Sequence, residues 1–251
     1  MKTIGFLFYS LFMKIIGVIP ARGGSKKVPN KNLKSFCGKP LIAWTILEAK
    51  KSKLINRIIV STDSLEIAKI ARRYGAEVPF LRPKELATDT TGIEPVLRHA
   101  YENLTEKEGY KTDALALLFA TNPLRKFFHI DDAIKIMQKT DCDSVVSVNE
   151  TPANHTPFWT LIKAKNGTVS LFGGVSLKNI HNRRQDFPHL CYARNELIYL
   201  LKPKNLYNNP SRLYGKKVKL YMTSPIYEID INTPEDWLMS EIKFKHLQKN
   251  H

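Results

Sequence analysis

The sequence predicts an α/β fold in which helices cover both faces of a mostly parallel sheet. Short continuous apolar runs, typical of strands buried on both faces, alternate with segments whose apolar residues recur at helical spacing. The chain has 251 residues, of which 43% are hydrophobic, so it can build one large domain with a substantial core. Neither internal repeats nor low-complexity tracts interrupt this order.

The first half of the chain alternates strand and helix signals at short intervals. Pro40 is placed to start a helix, Ser64 can cap the next helix, and Gly75 can end it. From these signals and the apolar periodicity we predict the following elements: strand Ile15–Ile19, helix Pro40–Lys50, strand Arg57–Ser61, a helix between Ser64 and Gly75, strand Glu77–Phe80 and a helix through Ile93–Leu104.

The second half continues the alternation but contains a long irregular segment. Residues 150–191 are rich in Asn, Pro, His and Gly, which is typical of a functional loop, an insertion or a dimerisation element. Thr233 is placed to cap a final helix that begins at Pro234. The other predicted elements are strand Ala114–Phe119, helix Asp131–Gln138, and strands Ser144–Val148, Leu197–Leu201 and Val218–Met222.

The charge of the chain indicates an anionic partner. The formal net charge is +16, which favours polyanions or anionic small molecules. The lysines are dispersed and no nucleic-acid-binding motif accompanies them, so we do not predict a nucleic-acid partner. The three cysteines are an odd set without C-x-x-C spacing, which argues against a disulfide framework or a zinc site and predicts a cytoplasmic location.

The first twelve residues imitate a signal peptide in part. The run Ile4–Tyr9 is apolar, but no small-residue cleavage site follows it, and it is too short to span a membrane. We therefore predict that residues 1–12 are a dispensable extension, that Met13 is a candidate initiator, and that the protein does not insert into a membrane.

The most informative segment follows the first predicted strand. The apolar run ends at Pro20, and a basic, glycine-rich loop begins with Arg22 and Gly23. Backbone N–H groups in such a turn form an anion-binding concavity, and an α/β sheet binds ligands at the carboxyl ends of its strands. The spacings of the Walker and dinucleotide-binding loops are both absent. Because Lys26 and Lys31 add positive charge, this loop predicts phosphate binding.

The pattern I-P-A-R-G-G-S-K-x-x-x-x-K-N, at residues 19–32, resembles the signature loop of the cytidylyltransferases that activate sialic-acid-like sugars. Further blocks match that family in order, at residues 60–64, 75–83, 85–89, 121–125 and 230–236. The resemblance implies a Rossmann-like nucleotidyltransferase fold, GT-A-like and three-layered, over residues 13–251. It also implies a cytoplasmic homodimer, with an insertion at about 150–195 for dimerisation and sugar binding.

The resemblance assigns roles to individual residues. CTP would be held by Ala21, Arg22, Gly23, Gly24, Ser25, Lys26, Asn32 and Arg82. The catalytic residues would be Arg22, Lys31 and Asp230. The sugar contacts would come from Arg184, Gln185, Tyr192 and Asn195. Asp63 follows a strand, so it is either a carboxylate of the ligand site or a turn residue at a helix start, and the sequence leaves both open.

The resemblance also implies a Mg²⁺ site at Asp230 and residue 232. The family carries aspartate at both positions, whereas this chain has Asn232, whose amide oxygen can ligate but carries no charge. Metal affinity would then fall unless Glu228, Asp236 or Glu196 compensates. Glu196 itself stands where most members of the family carry glycine.

The implied reaction joins CTP and an N-acylneuraminate-type nine-carbon acid into a CMP-sugar with release of diphosphate, for cell-surface glycan synthesis. Residues 36–40 and 119–123 favour the pseudaminate branch of the family, whereas residues 183–195 favour the neuraminate or legionaminate branch. The substitutions at positions 196 and 232 also leave open a nucleotide-binding protein with weakened catalysis.

Overall fold

The structure, a computed structural model, describes residues 13–249, so the predicted extension 1–12 lies outside the described residues. The strands are β1 (Ile15–Pro20), β2 (Ser35–Phe36), β3 (Lys39–Pro40), β4 (Arg57–Ser61), β5 (Ala114–Leu117), β6 (Ser144–Glu150), β7 (Leu161–Lys163), β8 (Val169–Leu171), β9 (Tyr192–Leu201) and β10 (Val218–Met222). The helices are α1 (Leu41–Lys51), α2 (Leu65–Arg73), α3 (Ile93–Glu108), α4 (Phe127–Lys139) and α5 (Pro234–Lys249). These elements confirm the predicted α/β class.

Six of the strands form the central sheet in the order β10–β6–β9–β5–β1–β4. β1 pairs in parallel with β4 on one side and β5 on the other, while β9 runs antiparallel to β5. Gly17 in β1 lies in a tightly packed place, because a Cβ there would lie 3.1 Å from Ile55 Cδ1 and 3.2 Å from Leu118 Cδ1. Parallel pairing places the carboxyl ends of β1, β4 and β5 at one edge of the sheet.

Two of the helices, α2 and α5, begin where a side chain satisfies one of their first N–H groups. Ser64 Oγ accepts a hydrogen bond from Ile67 N (3.3 Å) at the start of α2, and Thr233 Oγ1 accepts one from Asp236 N (3.2 Å) at the start of α5. Within residues 13–249, no helix combines the length and apolarity needed to cross a membrane. The main core is made of fully buried aliphatic side chains from β1, β5 and the helix faces packed on them, including Ile15, Ile19, Ile42, Ile46, Ile130 and Ile134.

The predicted strand Glu77–Phe80 does not form. Glu77 alone of these residues pairs with β4, in a bridge to Ile59 where the Glu77 N–H donates to Ile58 O (2.8 Å). Pro79 has no N–H to donate, so the ladder cannot continue through it.

Helix α4 starts at Phe127, earlier than the predicted start at Asp131. Lys126 N donates to His129 Nδ1 (3.0 Å), and Phe127 N donates to Glu48 Oε2 on α1 (3.0 Å). These acceptors satisfy N–H groups that would otherwise lack partners at the helix start. One of them comes from a distant helix, which a local sequence pattern cannot reveal.

Burial of His129 is expected to make the protein less stable in mild acid. Burial and the nearby Arg125 guanidinium lower the pKa of His129 from 6.5 to about 4. Between these values the unfolded chain binds the proton more readily, so the free energy of unfolding should fall by up to about 3 kcal/mol as the pH drops from 6.5 through 4. Urea denaturation at several pH values measures how the free energy of unfolding depends on pH. This dependence should be shallower for His129→Gln than for the wild type, and unchanged for the exposed His155→Gln. Equal slopes for His129→Gln and the wild type would contradict this prediction.

The described chain divides into two compact units: residues up to Ser147 together with those from Asn195, and residues 148–194. The smaller unit contains the antiparallel β7–β8 hairpin and a cluster of aromatic rings. Trp159 Nε1 donates to His181 O (2.6 Å) within it. The sequence predicts this region as an insertion for dimerisation and sugar binding, and that role stays a prediction.

Candidate functional site

An open cleft of about 640 Å³ lies at the carboxyl end of β1 in the larger unit. Its lining comes from the loop 22–32 after β1, from residues 86–96 at the start of α3, and from residues 119–121 after β5. The predicted site residues that line it are Arg22, Ser25, Lys26, Lys31, Asn32, Arg82 and Asn232. The cleft therefore gathers all of the cations that the sequence assigns to CTP.

The glycine-rich loop is held against the start of α2. Gly23 N donates to Asp63 Oδ1 (2.9 Å), and a Cβ on Gly23 would lie 3.2 Å from Ser64 Cβ. Gly24 has open space at the same position, so close packing favours glycine at position 23 but not at 24. Asp63 therefore anchors the loop while Ser64 caps the helix, and a direct role of the Asp63 carboxylate in ligand binding stays a prediction.

Lys31 and Asn32 tie this loop together and connect it to the segment that carries Asp230. Lys31 Nζ donates to Ile231 O (2.6 Å), and Asn32 Nδ2 donates to Arg22 O (3.1 Å). Burial lowers the pKa of Lys31, and the nearby Asp230 carboxylate opposes that shift. The arrangement places a partly desolvated ammonium beside the cleft, where it can interact strongly with a phosphate.

Arg82 is buried at the cleft, with its guanidinium fixed against β4. Arg82 Nε donates to Ser61 Oγ (3.1 Å), Nη2 donates to Ser61 O, and the backbone N–H donates to Thr62 O (2.7 Å). Burial lowers the pKa of Arg82 to about 10, while Asp63 opposes that shift, so the side chain stays charged at neutral pH. Its predicted contact with cytosine is compatible with this position and stays a prediction.

The predicted metal residues lie side by side, although the segment that carries them is not a strand. Residues 228–233 have no regular secondary structure, yet Asn232 Nδ2 donates to Asp230 Oδ2. The Glu196 carboxyl group is hydrogen-bonded to Asp230 and accepts a hydrogen bond from Thr121 Oγ1 (3.1 Å). Burial and the neighbouring Asp230 carboxylate raise the pKa of Glu196. A hydrogen bond, rather than strand alternation, therefore brings residues 230 and 232 together.

This set of oxygen donors fits Mg²⁺. The cation is commonly held by one or two carboxylates together with substrate phosphates and water. Asp230 and Glu196 supply adjacent carboxylates whose mutual repulsion a cation would relieve. Asp236 instead serves the helix start, since its Oδ2 accepts from Asn232 N (2.9 Å) and Thr233 N (2.8 Å). Among residues 13–249, no group of three or more His, Cys, Asp or Glu side chains could hold a metal, so phosphate oxygens would have to complete the set.

Three of the predicted nucleotide residues do not line the cleft. They are Ala21, Gly23 and Gly24. Ala21 is buried, and its N–H donates to Ser61 O (3.0 Å). These residues shape the loop that carries Arg22 and Lys26, and their direct contact with CTP stays a prediction.

The predicted sugar residues are divided between the two units. Arg184 and Gln185 line a second cavity, of about 540 Å³, inside the smaller unit, where Arg184 forms an ion pair with Glu150. Tyr192 also belongs to the smaller unit and is partly exposed. Asn195 belongs to the larger unit, where its side chain is buried and hydrogen-bonded. The assignment of these four residues to the sugar stays a prediction.

Sequence reasoning gave no role to two residues that the structure makes prominent. Asp89 Oδ1 lies 2.5 Å from Arg22 Nη2, and Asp89 Oδ2 lies 2.5 Å from Lys26 Nζ. Arg125 is fully buried, and its Nη2 donates to Glu196 O (2.9 Å), which fixes the strand that carries Glu196. Each is the last residue of a sequence block that matches the family, at 85–89 and at 121–125. Membership in these blocks is the sequence feature that could have indicated a role for both.

A family model and curated relatives match this chain along most of its length. The family model described as Cytidylyltransferase matches residues 16–248. The chain is 37% identical over 237 residues to "Post-translational flagellin modification protein B" of Campylobacter coli, covering 94% of this chain and 97% of that protein. It is 37% identical over 233 residues to CMP-N,N'-diacetyllegionaminic acid synthase of Legionella pneumophila, covering 91% of this chain and 95% of that protein.

The fold leads to the same group of proteins. A solved structure of CMP:2-keto-3-deoxy-manno-octonic acid synthetase in complex with CTP has a TM-score of 0.66 at 15% identity, covering 94% of this chain and 99% of that chain. At this identity the similarity concerns the fold alone, and it confirms the predicted Rossmann-like α/β fold. The family match extends over almost all of the described chain and confirms the resemblance first seen in the motifs. The chain belongs to the cytidylyltransferase family and is a nucleotidyltransferase.

Proposed function

We propose that this protein transfers CMP from CTP to an acidic nine-carbon sugar of the sialic-acid type, forming a CMP-sugar and diphosphate. The observation that carries the proposal is the cleft at the end of β1, which Arg22, Lys31 and Arg82 line. Lys31 connects it to the segment that carries Asp230. The Legionella relative, named for CMP-N,N'-diacetyllegionaminate synthesis and similar along almost its entire length, supports a substrate of this class.

In the proposed reaction the anomeric hydroxyl of the sugar attacks the α-phosphorus of CTP, and diphosphate leaves. Positioning and charge neutralisation dominate such phosphoryl transfers, so little covalent work falls to the protein. Arg22 and Lys26 would bind the departing phosphates through charge-assisted hydrogen bonds. Lys31, held by its bond to Ile231 O, would stabilise the charge that develops around the reacting phosphorus.

For the sugar acid, we propose contacts from Arg184, Gln185, Tyr192 and Asn195. The planar arginine fork suits a carboxylate, which it can bind through two parallel hydrogen bonds. Arg184 already binds a carboxylate, that of Glu150, within the second cavity. The sugar carboxylate would either displace Glu150 from Arg184 or bind Arg184 beside it.

Within the class of substrates, we propose an N-acylneuraminate-type acid, with legionaminate and pseudaminate as the other acids to be tested. The test is diphosphate release from the purified protein mixed with CTP, Mg²⁺ and each acid in turn, with ATP, GTP and UTP as nucleotide controls. Turnover with one of the acids, and with CTP but none of the other nucleotides, supports the proposal and identifies the sugar. If CTP binds but no acid supports turnover, the proposed reaction is wrong and the chain is a nucleotide-binding relative with weakened catalysis.

We propose Mg²⁺ as the cofactor, held by Asp230 and Asn232 with Glu196 as a further carboxylate. When bound, the cation would neutralise charge on the triphosphate. The hydrogen bond from Asn232 to Asp230 and the raised pKa of Glu196 support a shared position for these groups. Glu196 would then supply the negative charge that asparagine at position 232 lacks.

Asn232→Asp is expected to lower the Mg²⁺ concentration needed for half-maximal activity, because a charged carboxylate replaces a neutral amide oxygen. Direct Mn²⁺ binding, followed by electron paramagnetic resonance without CTP, should tighten in the same variant. Asn154→Asp, an exposed change of equal charge in the smaller unit, should alter neither quantity. An unchanged or higher metal requirement would show that residue 232 is not a ligand.

We further propose that the protein acts as a cytoplasmic homodimer through residues 150–195 and that residues 1–12 are dispensable. Exposed apolar patches mark interaction surfaces, and Leu161, Phe172 and Leu190 are 55%, 59% and 64% exposed within the smaller unit. Sedimentation velocity of the full chain and of a chain starting at Met13 tests both statements. A monomeric full chain would overturn the dimer, whereas a full-chain dimer with a monomeric shorter chain would overturn the dispensability of residues 1–12.

A further inference from the structure

Asp89 forms ion pairs with Arg22 and Lys26, the two cations that the proposed function assigns to the phosphates of CTP. Its carboxylate oxygens lie 2.5 Å from Arg22 Nη2 and 2.5 Å from Lys26 Nζ. Hydrogen bonds from Lys26 and Arg22 lower the pKa of Asp89, so the carboxylate stays charged. The side chains of Arg22 and Asp89 are 31% and 39% exposed, so a ligand that enters the cleft can reach both ion pairs.

The segment that carries Asp89 is ordered by its own side chains. Thr88 Oγ1 lies 2.6 Å from Thr91 Oγ1, and Thr91 N donates to Thr88 Oγ1 (3.1 Å). Thr91 Oγ1 also donates to Glu85 O (3.1 Å). Because Thr88, Asp89 and Thr91 all line the cleft, this turn presents the carboxylate to the phosphate-binding loop from a defined position.

A phosphate chain that takes the donors Arg22 Nη2 and Lys26 Nζ competes with the Asp89 carboxylate for them. Carboxylate and phosphate oxygens are both anionic acceptors and compete for the same N–H donors. The apparent affinity of a ligand falls with the fraction of protein in which its binding groups are free. The base and ribose of the nucleotide do not need these donors, so the competition concerns the phosphate chain.

We propose that Asp89 is an internal counter-ion that competes with the phosphate chain of CTP and favours the release of diphosphate. This inference rests on the proposed function, since it takes Arg22 and Lys26 as phosphate contacts. Before CTP binds, the Asp89 carboxylate neutralises both cations, and the triphosphate competes with it for them. After transfer, the carboxylate returns to them, which offsets the ion pairs lost as diphosphate leaves.

Asp89→Asn tests the proposal, because it keeps the size of the side chain and removes its charge. Calorimetric titrations of the wild type and the variant with CTP, diphosphate and cytidine measure the three affinities. We expect the dissociation constants of CTP and diphosphate to fall by roughly three- to tenfold, since each exposed ion pair contributes a factor of a few. The affinity for cytidine should not change, and diphosphate should become a stronger product inhibitor by a similar factor.

Glu85→Gln is the matched control for charge. It changes the net charge by the same amount on the same segment, but Glu85 is not a partner in either Asp89 ion pair. All three affinities should therefore equal those of the wild type, which separates local competition from a general increase in positive charge. Asp89→Ser repeats the test if thermal melting shows that the asparagine variant is unfolded.

The outcomes distinguish this inference from the function on which it rests. If the wild type binds CTP and Asp89→Asn binds it equally or more weakly, the inference is wrong, and Asp89 instead orients Arg22 and Lys26 for phosphate. If the wild type does not bind CTP at all, the proposed function itself is wrong.

Discussion

Asp230→Asn is expected to lower turnover of CTP and the sugar acid by about a thousandfold without unfolding the protein. The Asp230 carboxylate accepts a hydrogen bond from Asn232 and lies beside Lys31 and Glu196, where the triphosphate would be held. A metal-assisted site contributes several kcal/mol to phosphoryl transfer, and each ~1.4 kcal/mol is about tenfold in rate. Removing the negative charge at this position should therefore weaken metal binding and slow the reaction together.

The stability of this variant distinguishes a catalytic effect from a structural one. Asp230→Asn removes the repulsion between residue 230 and the Glu196 carboxyl group together with the attraction to Lys31, so its thermal midpoint should stay close to that of the wild type. Diphosphate release and calorimetry measure rate and stability on the same preparation. Glu235→Gln, an equal charge change in the first turn of α5, should keep full activity. Full activity in Asp230→Asn, or equal loss in both variants, would refute the assignment.

Lys31→Met is expected to lower kcat/KM for CTP by about 10²–10³, as loss of one preorganised donor in an enzyme site does. Methionine keeps the length of the side chain but removes the ammonium group, and with it the hydrogen bond to Ile231 O. Because Lys31 is partly buried, water cannot fully replace its charge near the reacting phosphorus. The larger part of the loss should appear in kcat, because the Lys31 ammonium interacts most strongly with the negative charge that develops in the transition state.

Lys34→Met provides the comparison. Lys34 follows Lys31 closely in the sequence, but its Nζ lies 4.6 Å from the centre of the Trp237 ring instead of beside Asp230. An exposed cation–π contact contributes roughly 0.5–1 kcal/mol to stability, so a small drop in the thermal midpoint with normal kinetics is expected. If both methionine variants lose activity equally, the overall positive charge of the protein, and not the position of Lys31, accounts for the loss.

The position of the phosphate loop in the chain was predictable because its signals are local. The apolar run of β1 and the cap at Ser64 act within a few residues of the structure that they determine. The same holds for the start of α5 at Thr233. Where partners come from elsewhere, prediction failed or stopped short. The start of α4, for example, depends on Glu48 from α1. The strand expected at residues 77–80 fails for a local reason instead, because Pro79 cannot donate to the ladder.

Local patterns in the sequence were enough to predict the α/β class, the main strands and helices of the larger unit, and a phosphate-binding loop at the end of the first strand. Periodicity, capping residues and glycine-rich turns carry this information, since each acts over a few bonds or one helical turn. Tertiary structure alone decided that Asp63 anchors the loop, that Glu196 meets Asp230, and that Asp89 pairs with Arg22. Each of these pairs joins segments that are far apart in the chain. Their contact follows from strand order and loop packing, which place distant carboxylates at one edge of the sheet.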